Sequence, residues 1–167
     1  MKKTHKKNNI SKKKLFAIVS AILTVFIIYN IFWATYVRTI YGAFTENIPE
    51  DNGSILISLD GFSYSVKKPS YLSLTGNLSL IDEKTSDGLI IWPNPITQNE
   101  YAVIITTDVT EIEGREVPHQ CVISIDENGQ WADYSNVFGE KEKKILDERK
   151  SEIQMWLKMA DDMWDLY

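Results

Sequence analysis

The sequence predicts a single transmembrane helix followed by a small α+β outer domain, mainly an antiparallel sheet with a long C-terminal helix. Three observations carry this expectation. Residues 15–37, LFAIVSAILTVFIIYNIFWATYV, form a run of 23 residues without a charge. Between residues 55 and 134, short stretches of alternating apolar and polar residues are separated by Asp-Gly, Asn-Gly and proline-containing segments, the period-two pattern of strands and turns. Residues 140–167 contain neither Gly nor Pro and repeat apolar residues at helical spacing.

The chain has 167 residues, 44% hydrophobic and 25% charged, with 8 Gly and 5 Pro, a composition that excludes collagenous and wholly disordered classes. Its size suits one domain and an accessory segment. One cysteine excludes an internal disulfide framework and a Cys-rich zinc module.

At about 1.5 Å per residue the 15–37 run reaches roughly 34 Å, enough to cross a hydrocarbon core with some tilt. Trp33 and Tyr36 fall near its far end, where amphipathic rings favour the headgroup layer. Seven lysines (Lys2, Lys3, Lys6, Lys7, Lys12, Lys13 and Lys14) precede the run, whereas the twenty residues after it hold Arg38 as their only cation beside Glu46, Glu50 and Asp51. The positive-inside rule therefore expects the N-terminus in the cytoplasm. The run exceeds the apolar region of a cleaved signal peptide, and the nearest small-residue site, Tyr41-Gly42-Ala43, has a bulky residue at its first position, so an uncleaved signal anchor is expected.

This reading divides the chain into a lysine-rich cytoplasmic tail (1–14), the transmembrane signal anchor (15–37), a juxtamembrane linker (38–53) and an extracytoplasmic domain (54–167). Residues 38–48 extend the span as a short helix that Pro49 and the following Glu50-Asp51-Asn52-Gly53 would end. Removing the seven leading lysines from 18 basic residues leaves 11 against 23 acidic ones, a net charge of −12 that disfavours nucleic acid.

Within the outer domain, residues 55–60 and 62–66 alternate as two strands around Asp60-Gly61, a tight hairpin turn. Residues 71–82 alternate Leu72, Leu74, Leu78 and Leu80 with Ser73, Thr75, Asn77 and Ser79, and Gly76 interrupts the apolar row, marking a bulge or a close backbone approach. Asp87-Gly88 opens a run at 89–92 that Pro93-Asn94-Pro95 closes. Residues 101–109 and 120–126 are the most β-branched segments and read as central strands. Asn128-Gly129 gives a two-residue hairpin signal leading into 130–134. The last 28 residues read as one helix of about 25 residues, with Leu146, Ile153, Leu157, Ala160 and Trp164 on a common stripe.

No catalytic, cofactor-binding or metal-ligating set emerges. His119 and Cys121 share a strand face, but Cys121 continues the row of Ile123 and Ile125 and reads as a structural thiol. Asp108, Glu111, Glu113 and Glu116 crowd one strand-to-loop region and read as a solvated acidic loop; Asp126-Glu127-Asn128-Gly129 carries only a fragment of a calcium loop. Two glycosylation triplets, at Asn52 and Asn77, are too short to carry weight.

Two surfaces remain as binding candidates. Ser73, Thr75, Asn77 and Ser79 present hydroxyls and an amide on one strand face, near Trp92 and Trp131, a combination suited to glycan contact. On the C-terminal helix, Trp156, Met159 and Met163 exceed what one buried stripe requires and are the expected partner-binding residues. The expected function is a membrane-anchored, non-enzymatic module of the cell envelope whose partners are the lipid bilayer and another membrane or envelope protein. The alternative is a small envelope hydrolase using carboxylates or the Cys121 thiol.

Overall fold

The computed structural model describes residues 11–46, 50–51, 54–71, 73–94, 97–112, 115–132 and 139–166. The chain enters α1 (Lys12–Tyr36) through Ser11, whose hydroxyl accepts from the Lys14 N–H and caps the first turn. A π-helical turn at Val37–Tyr41 leads directly into α2 (Gly42–Thr45), which bears out the short helical extension. Pro49, Asn52 and Gly53, which were to end it, lie outside the described residues, as do the lysines before residue 11. Together these segments form one helix long and apolar enough to cross a membrane. No residue of α1 before Tyr36 is buried, and Phe16 (75% exposed), Ile22 (64%) and Val25 (67%) lie fully open on its surface.

A single antiparallel sheet follows, its strands ordered β1 to β7 exactly as they occur along the chain. The two-residue β1 (Glu50–Asp51) precedes β2 (Ser54–Leu59), β3 (Phe62–Lys67), β4 (Asn77–Asp82), β5 (Gly88–Trp92), β6 (Glu100–Ile112) and β7 (Arg115–Ile125). The β2–β3 hairpin turns at Asp60-Gly61 as the dipeptide predicts, with φ positive at both residues. On one face, Ile55, Val66, Leu78, Ile91, Tyr101 and Ile125 line up across the ladder, and a second row joins Ile57, Tyr64, Leu80, Leu89, Val103 and Ile123. All of these except Ile57, which is half-buried, are buried.

Several expectations need correction. The strand read at 71–82 begins only at Asn77, because the backbone of 73–76 is engaged by the helix end rather than by a neighbouring strand. Of the two readings of Gly76, the close approach is the one observed: a Cβ there would lie 2.1 Å from the Lys67 carbonyl oxygen and 2.7 Å from the Tyr41 ring. β7 is an edge strand, not a central one, which is why it tolerates Pro118. The Asn128-Gly129 turn is a three-residue loop rather than two: Gly129, at φ +73°, donates to the Asp126 carbonyl, and Asp126 N–H closes on Gln130. Only Ile125 and Trp131 bridge beyond it, and residues 133–138 lie outside the described set.

The C-terminal helix is also divided. α3 (Glu140–Glu148) and α4 (Lys150–Trp164) meet at Arg149, whose φ −102° and ψ 10° leave the helical region. No Gly or Pro marks this break; it coincides with the long-range pairing of Arg149 described below. Ile153, Trp156, Leu157, Ala160 and Trp164 of α4 and Leu146 of α3 are buried against the apolar sheet face, each apolar side chain contributing about 1.5–3 kcal/mol. The Trp164 ring meets Tyr64 edge-on at 5.8 Å. At the end of α4 the Asp165 N–H closes on the Asp161 carbonyl, and the Asp161 carboxylate accepts from the Leu166 N–H, holding the residue just beyond the helix.

Candidate functional site

Three places hold the residues that sequence or geometry singles out: the junction of the long helix with the domain, the uncovered sheet face, and the buried ion pair beneath the helix break.

At the junction, Tyr29, Trp33, Tyr36 and Ile40 recur at helical spacing on one side of the helix. This stripe meets the loop between β3 and β4. The Trp33 ring N–H donates to the Ser73 carbonyl (3.2 Å), the Tyr36 hydroxyl to the Leu74 carbonyl (2.7 Å), and the Tyr71 hydroxyl to Asn30 Oδ1 (2.8 Å). Tyr71 packs edge-on against both Tyr29 and Trp33. After the π-helical turn, Tyr41 enters the core with no exposed surface, and its hydroxyl accepts from the buried Gly76 N–H at 2.7 Å. The end of the apolar helix is therefore part of the domain's packing. The signal that could have found this junction is the 29/33/36/40 aromatic and apolar stripe with Asn30 beside it.

Among the described residues, the buried helix side chains gather on the first face of the sheet and not on the second. Leu56, Ser65, Ser79, Ile90, Ala102 and Ser124 are aligned across it, followed by Ser58, Ser63, Ile81, Gly88, Ile104 and Val122. Ser65 and Ser79 share a 2.6 Å hydrogen bond, and Leu56 (50%) and Val122 (49%) are exposed. Of the four glycan candidates, Asn77 and Ser79 lie on this face. Thr75 joins Trp92, Asn94, Glu100 and Ser124 around an open depression of about 310 Å³. Ser73 does not belong with them: it lies in the loop, where its hydroxyl accepts from the Thr75 N–H at 3.2 Å. Trp131 is separated as well, half-buried against the opposite, helix-covered side with Lys143 4.5 Å above its ring.

On α4, Trp156 is fully buried, so it is a core residue and not part of an exposed partner surface. Met159 and Met163 are half-buried against the same core, and the exposed methionine is Met155. Trp156 stands three residues after Ile153 and four before Ala160, so it lies on the same buried helix stripe as they do.

Asp87, which the sequence marks only as the opening of the run at 89–92, is buried to 3% exposure. Its carboxylate accepts from the Thr106 N–H (2.7 Å) and from Arg149 Nη2 (2.8 Å). Arg149 also pairs with Glu152 and lies over the Trp156 ring. Hydrogen bonding to Glu152, with a further contribution from Asp87 and against the opposing effect of burial, raises the Arg149 pKa, so the guanidinium stays charged. The pair ties the β4–β5 turn, the bulge in β6 and the helix break together.

Cys121 continues the apolar row as expected, packed against the core opposite Ile105. Burial, reinforced by Glu142, pushes its thiol pKa up, the opposite of what an activated nucleophile needs. His119 is exposed and stands opposite Asp108 in the ladder. Glu111 and Glu116 are cross-strand partners in register, and Glu113 lies outside the described residues. Asp126 serves its own turn, accepting from Asn128 N–H and Gln130 N–H. Among the described residues no group of three or more potential ligands could hold a metal ion.

Comparison with protein-family models, with curated proteins and with solved structures finds no match.

Proposed function

We propose that the protein is a membrane-anchored extracytoplasmic module, non-enzymatic, that presents the uncovered face of its sheet to another membrane or envelope protein. The anchor half of this reading is supported by α1, whose apolar side chains stand open from Leu15 to Phe32, about five turns, a surface suited to lipid rather than water. The lysines before it assign the N-terminus to the cytoplasm. Retention of the helix is supported by Tyr41: cleavage after Ala43 would remove a fully buried ring from the domain core.

The observation that carries the binding half is the uncovered face itself. Its two aligned rows mix the exposed aliphatic groups of Leu56 and Val122 with hydroxyls, a mixed apolar and polar surface of the kind found in protein contacts. An anchor confines such a face to the membrane plane and raises its effective concentration for partners held there. A glycan is the second reading, favoured by the depression in which Thr75, Asn94 and Ser124 surround Trp92.

Two measurements test this. Protease added outside intact cells should remove the body after residue 38 and spare the lysine-rich head; protection of the body would reverse the orientation. A photo-crosslinking residue at Ser124, on the uncovered face, should give a discrete protein adduct in native membranes that Val122→Asp abolishes. Adducts formed equally from Lys158, on the exposed side of α4, or confined to carbohydrate, would remove the protein-binding reading.

A further inference from the structure

The hydrogen bonds at the junction fix the depth of the β3–β4 loop relative to the helix. Asn30 is the sixteenth residue after Lys14, so only about 22 Å of helix separates Leu15 from the level at which Tyr71 is bound. A hydrocarbon core is about 30 Å thick, which requires roughly 20 residues from Leu15. The loop is thus attached to the helix several ångströms before the span has cleared the apolar layer. Tilting the helix shortens its projection and takes the loop deeper still.

The loop's chemistry agrees with that position. Tyr71 is 47% exposed with its hydroxyl committed to Asn30, so the part of its ring not packed against Tyr29 and Trp33 is open to the surroundings. Asn30 Nδ2 donates to the Phe26 carbonyl at 2.7 Å, so the amide has both a donor and an acceptor partner within the protein, as a polar group near lipid requires. Trp33 likewise spends its N–H on Ser73. Lys67 and Lys68 are exposed where the loop leaves β3, at the height where lipid phosphates would lie.

Resting on the reading of α1 as a membrane anchor, we infer that the loop between β3 and β4 is a lipid-interface segment, seated at the headgroup–acyl boundary of the same bilayer with the Tyr71 ring in lipid contact. The domain is then held to the membrane by two elements, a transmembrane helix and a shallow loop, and is not a body swinging on a flexible tether. The opposite end of the sheet, with the Asp60-Gly61 turn and the long β6–β7 ribbon, points away from the lipid.

The test uses the full chain reconstituted in phosphatidylcholine–phosphatidylglycerol vesicles. An environment-sensitive fluorophore is attached at Ser70→Cys or, as a control at the opposite end of the sheet, at Lys84→Cys, both in a Cys121→Ala background. The Ser70 probe should show blue-shifted emission and lose intensity to lipids carrying a nitroxide near the glycerol level, while the Lys84 probe should do neither. A Ser70 probe that behaves like the Lys84 probe in carbonate-resistant protein overturns the interface assignment and leaves the anchor intact. Release of the protein by carbonate overturns the anchor reading and the inference with it. Should the Cys121→Ala background fail to fold, a photo-crosslinking residue at Ser70 in the otherwise unchanged chain gives the same decision: phospholipid adducts support the assignment, and their absence from membrane-integrated protein overturns it.

Discussion

The Tyr41 hydroxyl lies 2.7 Å from the Gly76 nitrogen and accepts its N–H in a buried contact between the end of the apolar helix and the start of β4. Tyr41→Phe leaves that N–H without a partner and should cost about 1–3 kcal/mol. Gly76→Ala drives a Cβ against the Lys67 backbone carbonyl, which cannot move away as a side chain would, and should cost about 2–4 kcal/mol. Thermal melts of both variants in the same detergent check the order.

Breaking the Asp87–Arg149 pair from either side should be strongly destabilising. Asp87→Asn leaves the guanidinium short of its counter-charge; with Arg149 partly exposed, a loss of about 2–3 kcal/mol is expected, below the range for fully buried pairs. A double-mutant cycle with Arg149→Met should return a coupling of about 1–3 kcal/mol; additivity would show that the two do not act together.

Trp156 and Met155 are neighbours in sequence with opposite environments. Trp156→Ala should cost about 3–5 kcal/mol, whereas Met155→Glu, on the exposed side of α4, should stay within about 0.5 kcal/mol. Urea denaturation separates them, and equal small effects would remove Trp156 from the core.

Glu83 supplies a pH test. Hydrogen bonds from Ser58 and Ser63 hold its pKa below the usual carboxylate value, so its stabilising effect is present above the unfolded-state value and is lost as pH falls through the folded one. Glu83→Gln should therefore lower the melting temperature at neutral pH, with the difference from wild type closing at acid pH. A difference constant across that range would show that the hydroxyls do not prefer the ionised form.

Sequence by itself determined the parts of this protein whose information is local. The long apolar helix follows from 23 uncharged residues, the β2–β3 hairpin from alternation around Asp60-Gly61, and the inward row of Cys121, Ile123 and Ile125 from the two-residue period of a strand. Each depends only on neighbours along the chain. Tertiary structure decided the rest. Residues 71–76 alternate like a strand, yet Trp33, Tyr36 and Tyr41 engage the Ser73 and Leu74 carbonyls and the Gly76 N–H, and residues 73–76 are a loop. Residues 140–164 carry no Gly or Pro, yet the helix breaks at Arg149, the residue that pairs with Asp87, 62 positions away. Periodicity specifies which face of an element is apolar, but what meets that face, and which backbone groups a distant side chain claims, is set only when segments far apart in the chain come together.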